Sequence, residues 1–320
     1  MFENILLQTA LRQMAVLGLF VALGFILAKC KVIPKEANKT LSKLESFAFI
    51  PALVMGKFIT NFTKETLSTA WKLLLFSLLV ELAIIPIALL LARLMSPKDD
   101  FLRKICIYGL SFSNYGFMGL PMIEALFPQY ILHYVIFSLP LWALNFGWGV
   151  PFLLMDRKDQ KKGLGPALKN LINPIFIGLL IGALIGVLGI KLPSFAIEVI
   201  ETCGACMSPI AMMITGITFA GINLKKVLSN HTVYIATALR LLIFPCLFGG
   251  IYLLITHLLG IQPAEYFYIC LVCCAALPLG LNSVVIPAGY GKDTSVAAGM
   301  VLVSHLLSVA TIPLILTIFL

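Results

Sequence analysis

One apolar segment contains the stretch Gly109-Leu-Ser-Phe-Ser-Asn-Tyr-Gly-Phe-Met-Gly-Leu-Pro121, in which small and polar residues interrupt the hydrophobic ones. A second apolar segment contains the similar stretch Cys274-Ala-Ala-Leu-Pro-Leu-Gly-Leu-Asn-Ser-Val-Val-Ile-Pro287. Proline removes a backbone donor and blocks a continuous helix, and in a bilayer the freed backbone groups must line a cavity walled by protein. The two stretches therefore predict two membrane helices that are broken at mid-depth.

The composition places both stretches in a polytopic membrane protein. Of the 320 residues, 60 % are apolar and 12 % are charged, and the mean hydropathy is +1.03. Because soluble domains are about 25 % charged, this composition excludes a soluble enzyme. A spanning helix needs about 20 apolar residues. Ten such segments predict an all-α membrane protein with ten transmembrane helices, at 8–29, 40–61, 68–94, 102–126, 130–154, 168–190, 194–221, 231–258, 264–289 and 295–319.

The two halves of the chain repeat each other. Four pairs of prolines are separated by 157 to 159 residues, namely Pro34 and Pro193, Pro51 and Pro209, Pro86 and Pro245, and Pro121 and Pro278. Each half has five helices, an odd number, so the second half must enter the membrane upside down. We predict a first repeat over 1–155, a linker over 156–167 and an inverted second repeat over 168–320. Inverted repeats with broken helices at matching positions are typical of secondary transporters.

The basic residues predict the orientation. One side of the predicted membrane holds 17 lysines and arginines, including those of the 156–167 linker, and the other side holds 5. Because cytoplasmic loops are enriched in lysine and arginine, we expect the linker in the cytoplasm and both termini outside, in a cell-membrane protein. The net charge of +9 therefore follows from topology and implies no nucleic-acid partner.

The broken helices are the predicted substrate site. Asn114, Asn282 and Ser283 lie beside the breaks, and the N-termini of half-helices carry partial positive charge that suits an anion. The alternative is a pair of kinked structural helices whose glycines serve close packing.

The first stretch, from Asn114 to Pro121, resembles the fourth-helix motif of the auxin efflux carrier family, which includes plant PIN-FORMED proteins and bacterial organic-acid permeases. The stretch Ala275-Ala-Leu-Pro-Leu-Gly280 is similar to that family's ninth-helix region. The resemblance implies a fold like the bile acid/sodium symporters, with the fourth and ninth helices crossing at Pro121 and Pro278. It also implies a scaffold domain of helices 1, 2, 6 and 7, a mobile transport domain of helices 3–5 and 8–10, an anionic substrate beside the crossing, and a homodimer.

Two residues of the candidate site come from this comparison of motifs, and a third comes from the internal repeat. Asn114 matches the family's substrate-binding asparagine, and Asn145 in the fifth segment matches more loosely and is expected near the crossing. His305 lies at an offset of 160 residues from Asn145. A histidine in a membrane helix is either a hydrogen-bonded packing residue or a proton carrier, and the sequence leaves both open.

Glu81 and Arg240 each lie five residues before a repeated proline, so they occupy equivalent positions in the two repeats. A buried ion pair between them would spare each charge the cost of lying alone in lipid. Arg240 could instead clamp a substrate carboxylate. Three further charged residues near helix ends, Glu45, Lys57 and Glu124, are expected to reach the membrane interfaces.

The predicted function is secondary transport, with elevator-type alternating access, of a small organic anion such as a mono- or dicarboxylate. No nucleotide-binding loop, paired acid or metal motif is present, so we expect no enzyme activity, cofactor or bound metal. Two alternatives remain. The first is a sodium-coupled symporter of the same fold, although neither break contains an acid, which favours protons over sodium. The second is a lipid or sterol sensor with a transporter-like body.

Overall fold

The computed structural model describes residues 2–34, 37–155, 174–221, 229–290 and 292–320, and the regular structure of these residues is helical. The α-helices are α1 (Phe2–Lys29), α2 (Ala37–Leu44), α3 (Ile50–Asn61), α4 (Lys64–Met95), α5 (Asp100–Ser111), α6 (Leu120–Leu126), α7 (Ile131–Leu144), α8 (Pro174–Leu188), α9 (Ser194–Ala205), α10 (Met207–Ala220), α11 (His231–Ala238), α12 (Phe244–Leu259), α13 (Glu265–Ala276), α14 (Asn282–Gly289) and α15 (Ser295–Phe319). Four π-helical segments, Glu45–Phe49, Tyr115–Gly119, Asn145–Leu154 and Leu239–Ile243, and a 3₁₀ turn, Pro128–Tyr130, join some of them.

Six helical stretches are long and apolar enough to cross a membrane: Leu7–Lys29, Thr66–Met95, Pro128–Leu154, Ser194–Ala220, His231–Leu259 and Ser295–Phe319. The other four predicted segments are also helical but are too short or too polar to count, for local reasons. The fourth and ninth are broken, the second begins with the polar helix α2, and the sixth is described only from Pro174. The predicted linker at 156–167 lies outside the described residues. The all-helical membrane class is thus confirmed, and the count of ten spans stays a prediction.

Two helix pairs form one side of the molecule, with α1 lying along α10 and α3 along α8. Glycines bring the first pair into backbone contact. A Cβ atom on Gly216 of α10 would collide with the carbonyl oxygen of Val21 in α1, and one on Gly24 would collide with that of Met213. Small residues serve the same purpose wherever membrane helices approach closely.

The second pair uses three glycines spaced four residues apart. A Cβ atom on Gly178, Gly182 or Gly186 of α8 would lie 2.8, 2.6 or 2.5 Å from a carbonyl oxygen of α3. Residues four apart lie on one face of a helix, so the three glycines form a continuous groove. Helix α3 occupies this groove over its whole length.

The remaining helices surround the two broken segments. Helix α4 packs against α5 and α7, and α15 packs against α1, α11 and α13. Their outward faces carry leucines such as Leu79, Leu94 and Leu258, whose side chains are well exposed. A soluble protein rarely exposes so many large apolar side chains together, so these faces fit a lipid environment.

Candidate functional site

The fourth and ninth predicted segments cross where each helix is interrupted. The first is non-helical over 112–114, between α5 and the Tyr115–Gly119 segment, and the second is non-helical over 277–281, between α13 and α14. Within these interruptions Ser113 and Leu279 form an antiparallel β-bridge. The crossing is therefore a short stretch of two-stranded structure between four half-helices.

Backbone hydrogen bonds hold the crossing together. The N–H of Asn114 donates to the carbonyl of Pro278 at 2.8 Å, and the N–H of Gly280 donates to the carbonyl of Phe112 at 3.3 Å. The N–H of Leu279 donates to the Ser304 hydroxyl at 3.3 Å. Buried backbone groups need such partners, and here each broken helix supplies them to the other.

The residue types at the crossing account for its local structure. Leu277 is extended (φ −70°, ψ 148°), as expected for a residue before proline. The side chains of serine and asparagine compete with helical hydrogen bonds, which favours an interruption at Ser113 and Asn114. Gly280 permits the close approach, because a Cβ atom there would lie 3.0 Å from the Phe112 carbonyl oxygen.

Pro278 lies at the crossing, but Pro121 does not, and this corrects the expectation that the helices cross at both prolines. Pro121 is buried where the π-helical segment Tyr115–Gly119 continues into α6, seven residues after Asn114. The chain is already helical before Pro121, since Gly119 has helical dihedral angles, and the wider π-helical turn accommodates the missing N–H. The proline register of the repeat therefore does not mark the interruption in the fourth segment.

A cavity of about 930 Å³ leads away from the crossing. Its polar lining includes the amide side chains of Asn114, Asn145 and Asn282 and the two lysines of α2, Lys39 and Lys43. Apolar and aromatic side chains form much of the rest of the lining: Phe47, Ile50, Tyr115, Phe117, Trp142, Phe146, Ile175, Leu281, Val284, Val285, Ile286 and Tyr290. Among the described residues that line this cavity, none is acidic. The cavity is thus a largely apolar chamber whose polar lining includes three neutral amides and two lysines.

Asn114 and His305 contact each other at the crossing. The Asn114 amide nitrogen lies 2.9 Å from Nε2 of His305, whose Nδ1 lies 2.8 Å from the carbonyl oxygen of Val301. Since a carbonyl can only accept, Nδ1 must carry a hydrogen, and since the Asn114 nitrogen donates, Nε2 must accept. This arrangement corresponds to a neutral imidazole with its hydrogen on Nδ1.

Asn145 lies where the sequence comparison expected it and joins two tyrosines. Tyr108 donates to its amide oxygen at 2.8 Å, and its amide nitrogen donates to the Tyr115 hydroxyl at 2.9 Å. These two tyrosines flank the interruption on either side, so Asn145 ties the two half-helices to the fifth segment. Neither tyrosine stood out in the sequence, because an aromatic residue in a membrane helix is usually a packing residue.

Asn282 and Ser283 differ in their roles although they are neighbours. Asn282 lines the cavity as the first residue of α14. Ser283 is buried outside the cavity lining, and its hydroxyl donates to the carbonyl of Gly280 at 2.8 Å. Ser283 therefore stabilises the turn into α14, while the side chain of Asn282 faces the cavity and interacts with the Tyr108 hydroxyl.

Arg240 is buried and holds the ends of both interrupted helices. Its guanidinium donates from Nη1 to the carbonyl of Leu110 in α5, from Nη2 to that of Cys274 in α13, and from Nε to that of Leu277, at 3.0–3.2 Å. The C-terminal carbonyls of a helix carry partial negative charge and lack helical partners. Arg240 supplies both the hydrogen bonds and the positive charge, and it does not line the large cavity.

Glu81 is also buried, but it does not form a direct ion pair with Arg240. Both side chains line a second cavity of about 10 Å³, the size of one water molecule. Among the described residues, Oε1 of Glu81 has no hydrogen-bond partner. The guanidinium is occupied by three carbonyls, which explains why the predicted pair is not in contact.

One of the expectations about interfacial charges needs correction. Glu45 is fully buried at the start of the Glu45–Phe49 segment, because this segment packs against α8, α9 and α10. Lys57 of α3 and Glu124 of α6 do reach partly exposed positions, where they form a 2.7 Å ion pair. That ion pair joins the second predicted segment to the fourth.

Comparisons with known proteins agree with these features. A family model described as membrane transport protein matches residues 9–164 and 166–316. The chain is also similar to a protein of Schizosaccharomyces pombe described as an uncharacterized transporter, with 30 % identity over 105 residues. That alignment covers 32 % of this chain and 23 % of the yeast protein, so the chain spans less than a quarter of that relative's length.

Proposed function

We propose that this chain, which belongs to the membrane transport protein family, is a secondary transporter of a small organic anion. The family match confirms the resemblance to the auxin efflux carriers that the two broken-helix motifs indicated. One observation carries the proposal: a cavity of about 930 Å³ ends at the crossing of two interrupted helices. Interrupted helices of this kind form the substrate site in many secondary transporters.

The chemistry of the cavity supports an anion as the substrate. The amides of Asn114 and Asn282 are the side-chain hydrogen-bond donors in the part of the lining at the crossing. Helix α14 also begins at the crossing, and its N-terminus carries partial positive charge. Lys39 and Lys43 add two positive charges to the cavity lining. With no acidic side chain among the described lining residues, a carboxylate enters without repulsion.

The packing of the other helices supports the elevator mechanism. An inverted repeat exchanges the first segment with the sixth and the second with the seventh, so it exchanges the α1–α10 pair with the α3–α8 pair. Both pairs are present and both pack through glycines. These helices are the proposed scaffold, helices 1, 2, 6 and 7, against which the domain with both broken helices moves.

Arg240 favours a carrier that does not use sodium. In sodium-coupled transporters with broken helices, unwound carbonyls and helix C-terminal ends coordinate the ion. Here Arg240 donates hydrogen bonds to three carbonyls of that kind, so its permanent positive charge takes the place that a sodium ion would occupy. Sodium would have to compete with a guanidinium that cannot leave.

His305 is the proposed proton carrier. A protonated imidazole has two donors, so its Nε2–H would oppose the Asn114 amide nitrogen that now donates to it. Rotation of the Asn114 amide relieves this conflict, because the amide oxygen then accepts from His305 and the nitrogen turns toward the cavity. A proton on His305 thereby converts Asn114 into a donor for the substrate carboxylate, and the proton and anion bind together.

Reconstituted protein tests these proposals. We expect proteoliposomes to take up organic acids when a proton gradient is imposed, and not to respond to a sodium gradient alone. Asn114→Ala should abolish uptake while the protein still inserts and elutes as the native protein does. A strict sodium requirement would refute the proton proposal, and the lack of flux for every organic acid tried would refute the transport of organic anions.

A further inference from the structure

The second cavity, of about 10 Å³, brings together polar side chains from four different helical elements. Its polar lining includes Glu81 of α4, Ser111 at the end of α5, Arg240 of the Leu239–Ile243 segment and Cys274 of α13. Glu81, Ser111 and Arg240 are each at most 2 % exposed. Their polar atoms therefore have no access to bulk solvent, and any partner must lie inside the protein.

Two polar atoms of this lining lack a hydrogen-bond partner among the described residues. They are Oε1 of Glu81 and the hydroxyl oxygen of Ser111. Buried carboxylate and hydroxyl groups are nearly always hydrogen-bonded, either to protein or to ordered water. Because both atoms belong to the lining of one cavity, a single partner inside that cavity can serve them both.

The guanidinium of Arg240 has donors left for the same partner. It carries five N–H groups, and three of them donate to the carbonyls of Leu110, Cys274 and Leu277. One N–H on each Nη remains. A direct bidentate contact with Glu81 would pull the guanidinium toward the carboxylate and away from these carbonyls. A small bridging group would use a remaining N–H and leave the three bonds intact.

We propose that this cavity binds one water molecule, which joins Glu81 to Arg240 and makes Glu81 the counter-ion of the arginine that holds the crossing. The water accepts from a remaining N–H of Arg240, donates to Oε1 of Glu81, and has hydrogen-bonding capacity left for the Ser111 hydroxyl. Three polar partners and a volume of about 10 Å³ are what a buried water needs. Neither the water nor the charge of Glu81 depends on which substrate is transported.

The charge of Arg240 favours water over a cation in this cavity. A sodium ion would lie beside a guanidinium that stays protonated, and like charges repel strongly where the dielectric constant is low. A dry cavity is also disfavoured, because cavities that stay dry are lined by apolar groups. An ionised Glu81 balances the arginine, so neither charge is left uncompensated inside the membrane.

A structure of the full-length protein at a resolution that shows ordered water tests the site directly. We expect one density peak within hydrogen-bonding distance of Oε1 of Glu81, the Ser111 hydroxyl and a guanidinium nitrogen. The peak should be the same in sodium and in choline salts. A peak seen only with sodium would make this a cation site, and a cavity without density where other buried waters are resolved would be dry. Either result would overturn the proposal.

Two variants of Ser111 distinguish a bound water from a dry cavity by thermal stability. Ser111→Ala removes the hydroxyl and leaves room for the water, whereas Ser111→Val also fills the space. We expect Ser111→Val to melt at the lower temperature, because it excludes the water and leaves Oε1 of Glu81 without a partner. Ser111 is the last residue of α5, so the lower helix propensity of valine has little weight. The opposite order is that of a dry cavity, which an apolar group fills favourably, and it would contradict the proposal.

Infrared spectroscopy tests the charge of Glu81. The difference spectrum between the native protein and Glu81→Gln should lack the carbonyl stretch of a protonated carboxyl group. Glu198→Gln, which removes an exposed carboxylate, supplies the matched reference. A protonated carboxyl band that disappears in Glu81→Gln would show a neutral side chain and overturn its role as counter-ion. None of these measurements requires a ligand, so their failure would leave the proposed anion transport untouched.

Discussion

Asn114 is the residue on which the site depends most, because each of its polar groups has a distinct task. Its N–H donates to the Pro278 carbonyl, and its own carbonyl accepts from the N–H groups of Met118 and Gly119. Its side chain contacts His305 and lines the cavity. The backbone of Asn114 thus stabilises the crossing, while its side-chain amide is proposed to bind the ligand. A substitution can therefore remove the side-chain contact and keep the backbone hydrogen bonds.

Asn114→Ala should therefore weaken substrate binding more than it weakens the fold. Loss of a hydrogen bond in a buried site costs on the order of 1–3 kcal/mol, which corresponds to at least a severalfold rise in Kd. Ligand titration monitored by calorimetry or by thermal shift measures this rise. Ser138→Ala, which removes a buried hydroxyl outside the cavity lining, is the matched control and should leave Kd unchanged. An unaltered Kd in Asn114→Ala would remove Asn114 from the site.

The Asn114–His305 contact predicts a pH dependence. Because the protonated imidazole turns the Asn114 amide into a donor for the anion, affinity should rise as the pH falls. Among the described residues that line the cavity, none is acidic or a histidine, so His305 beside Asn114 is the group to test. His305→Gln should flatten the profile. A pH dependence that persists in this variant would assign the proton to another group.

Glu81 and Arg240 should be energetically coupled although they do not touch. Arg240→Gln leaves Glu81 buried without a nearby positive charge and leaves three carbonyls with fewer donors. A double-mutant cycle with Glu81→Gln, followed by thermal unfolding in detergent, should give a coupling of roughly 0.5–3 kcal/mol. The double variant should be more stable than the sum of the two single losses. Strict additivity would mean that the small shared cavity insulates the two charges.

Sequence reasoning identified the residues that are chemically unusual in their surroundings. Asn114, Asn145 and His305 are polar residues in apolar segments, and all three lie at or beside the crossing. Lys39 and Lys43 were counted only toward the orientation, because lysines near helix ends are common. Whether these lysines line the cavity depends on which face of α2 meets it, and that follows from tertiary packing.

At the scale of elements, the close helix pairs predict a sharp contrast between two glycines. Gly216→Ala places a methyl group against the Val21 carbonyl of α1 and should destabilise the protein by about 1–3 kcal/mol, the usual cost of overpacking. Gly250→Ala in α12 meets nothing within 4 Å and should stabilise its helix by about 0.5–1 kcal/mol. Thermal unfolding of the two variants measures the difference. Equal stabilities would mean that α1 and α10 can move apart freely.

The sequence predicted that both helices are interrupted, but it did not predict where both interruptions lie. The sequence indicated a broken helix in both the fourth and ninth segments, and Pro278 located the second break correctly. In the fourth segment the break lies at 112–114, which contains no proline. It is held by the backbone of the other broken helix, through Asn114 and Gly280. A contact between segments far apart in the chain leaves no periodic signal in either one.

At the scale of the whole molecule, the cavity and the Lys57–Glu124 ion pair lie at opposite ends of the second segment. Lys43 lines the cavity near the start of that segment, and Lys57 pairs with Glu124 near its end. The positive-inside pattern predicts that the start is cytoplasmic. On this prediction the structure is a state open to the cytoplasm, and the Lys57–Glu124 ion pair lies toward the outer side.

This state predicts one-sided access. In a cysteine-free background, Ser46→Cys should react with a membrane-impermeant thiol reagent applied from the cytoplasmic side, because Ser46 lines the cavity. Substrate should slow the reaction. Asn61→Cys, exposed at the other end of the same segment, should react from outside. Labelling of Ser46→Cys from outside with no reaction from inside would invert the orientation.

The lysines and the amides of the cavity stand on parts of the molecule that the proposed elevator mechanism would separate. Lys39 and Lys43 belong to α2 in the second segment, while Asn114 and Asn282 belong to the broken helices that would move. In that mechanism a substrate carried outward would stay beside the amides and would leave the positive charge of the lysines behind. The half-saturation concentration should therefore be lower at the cytoplasmic face than at the outer face. A passive carrier without a driving gradient must have the same ratio of maximal rate to half-saturation concentration in both directions. Outward flux would therefore saturate at a lower substrate concentration and reach a lower maximal rate than inward flux.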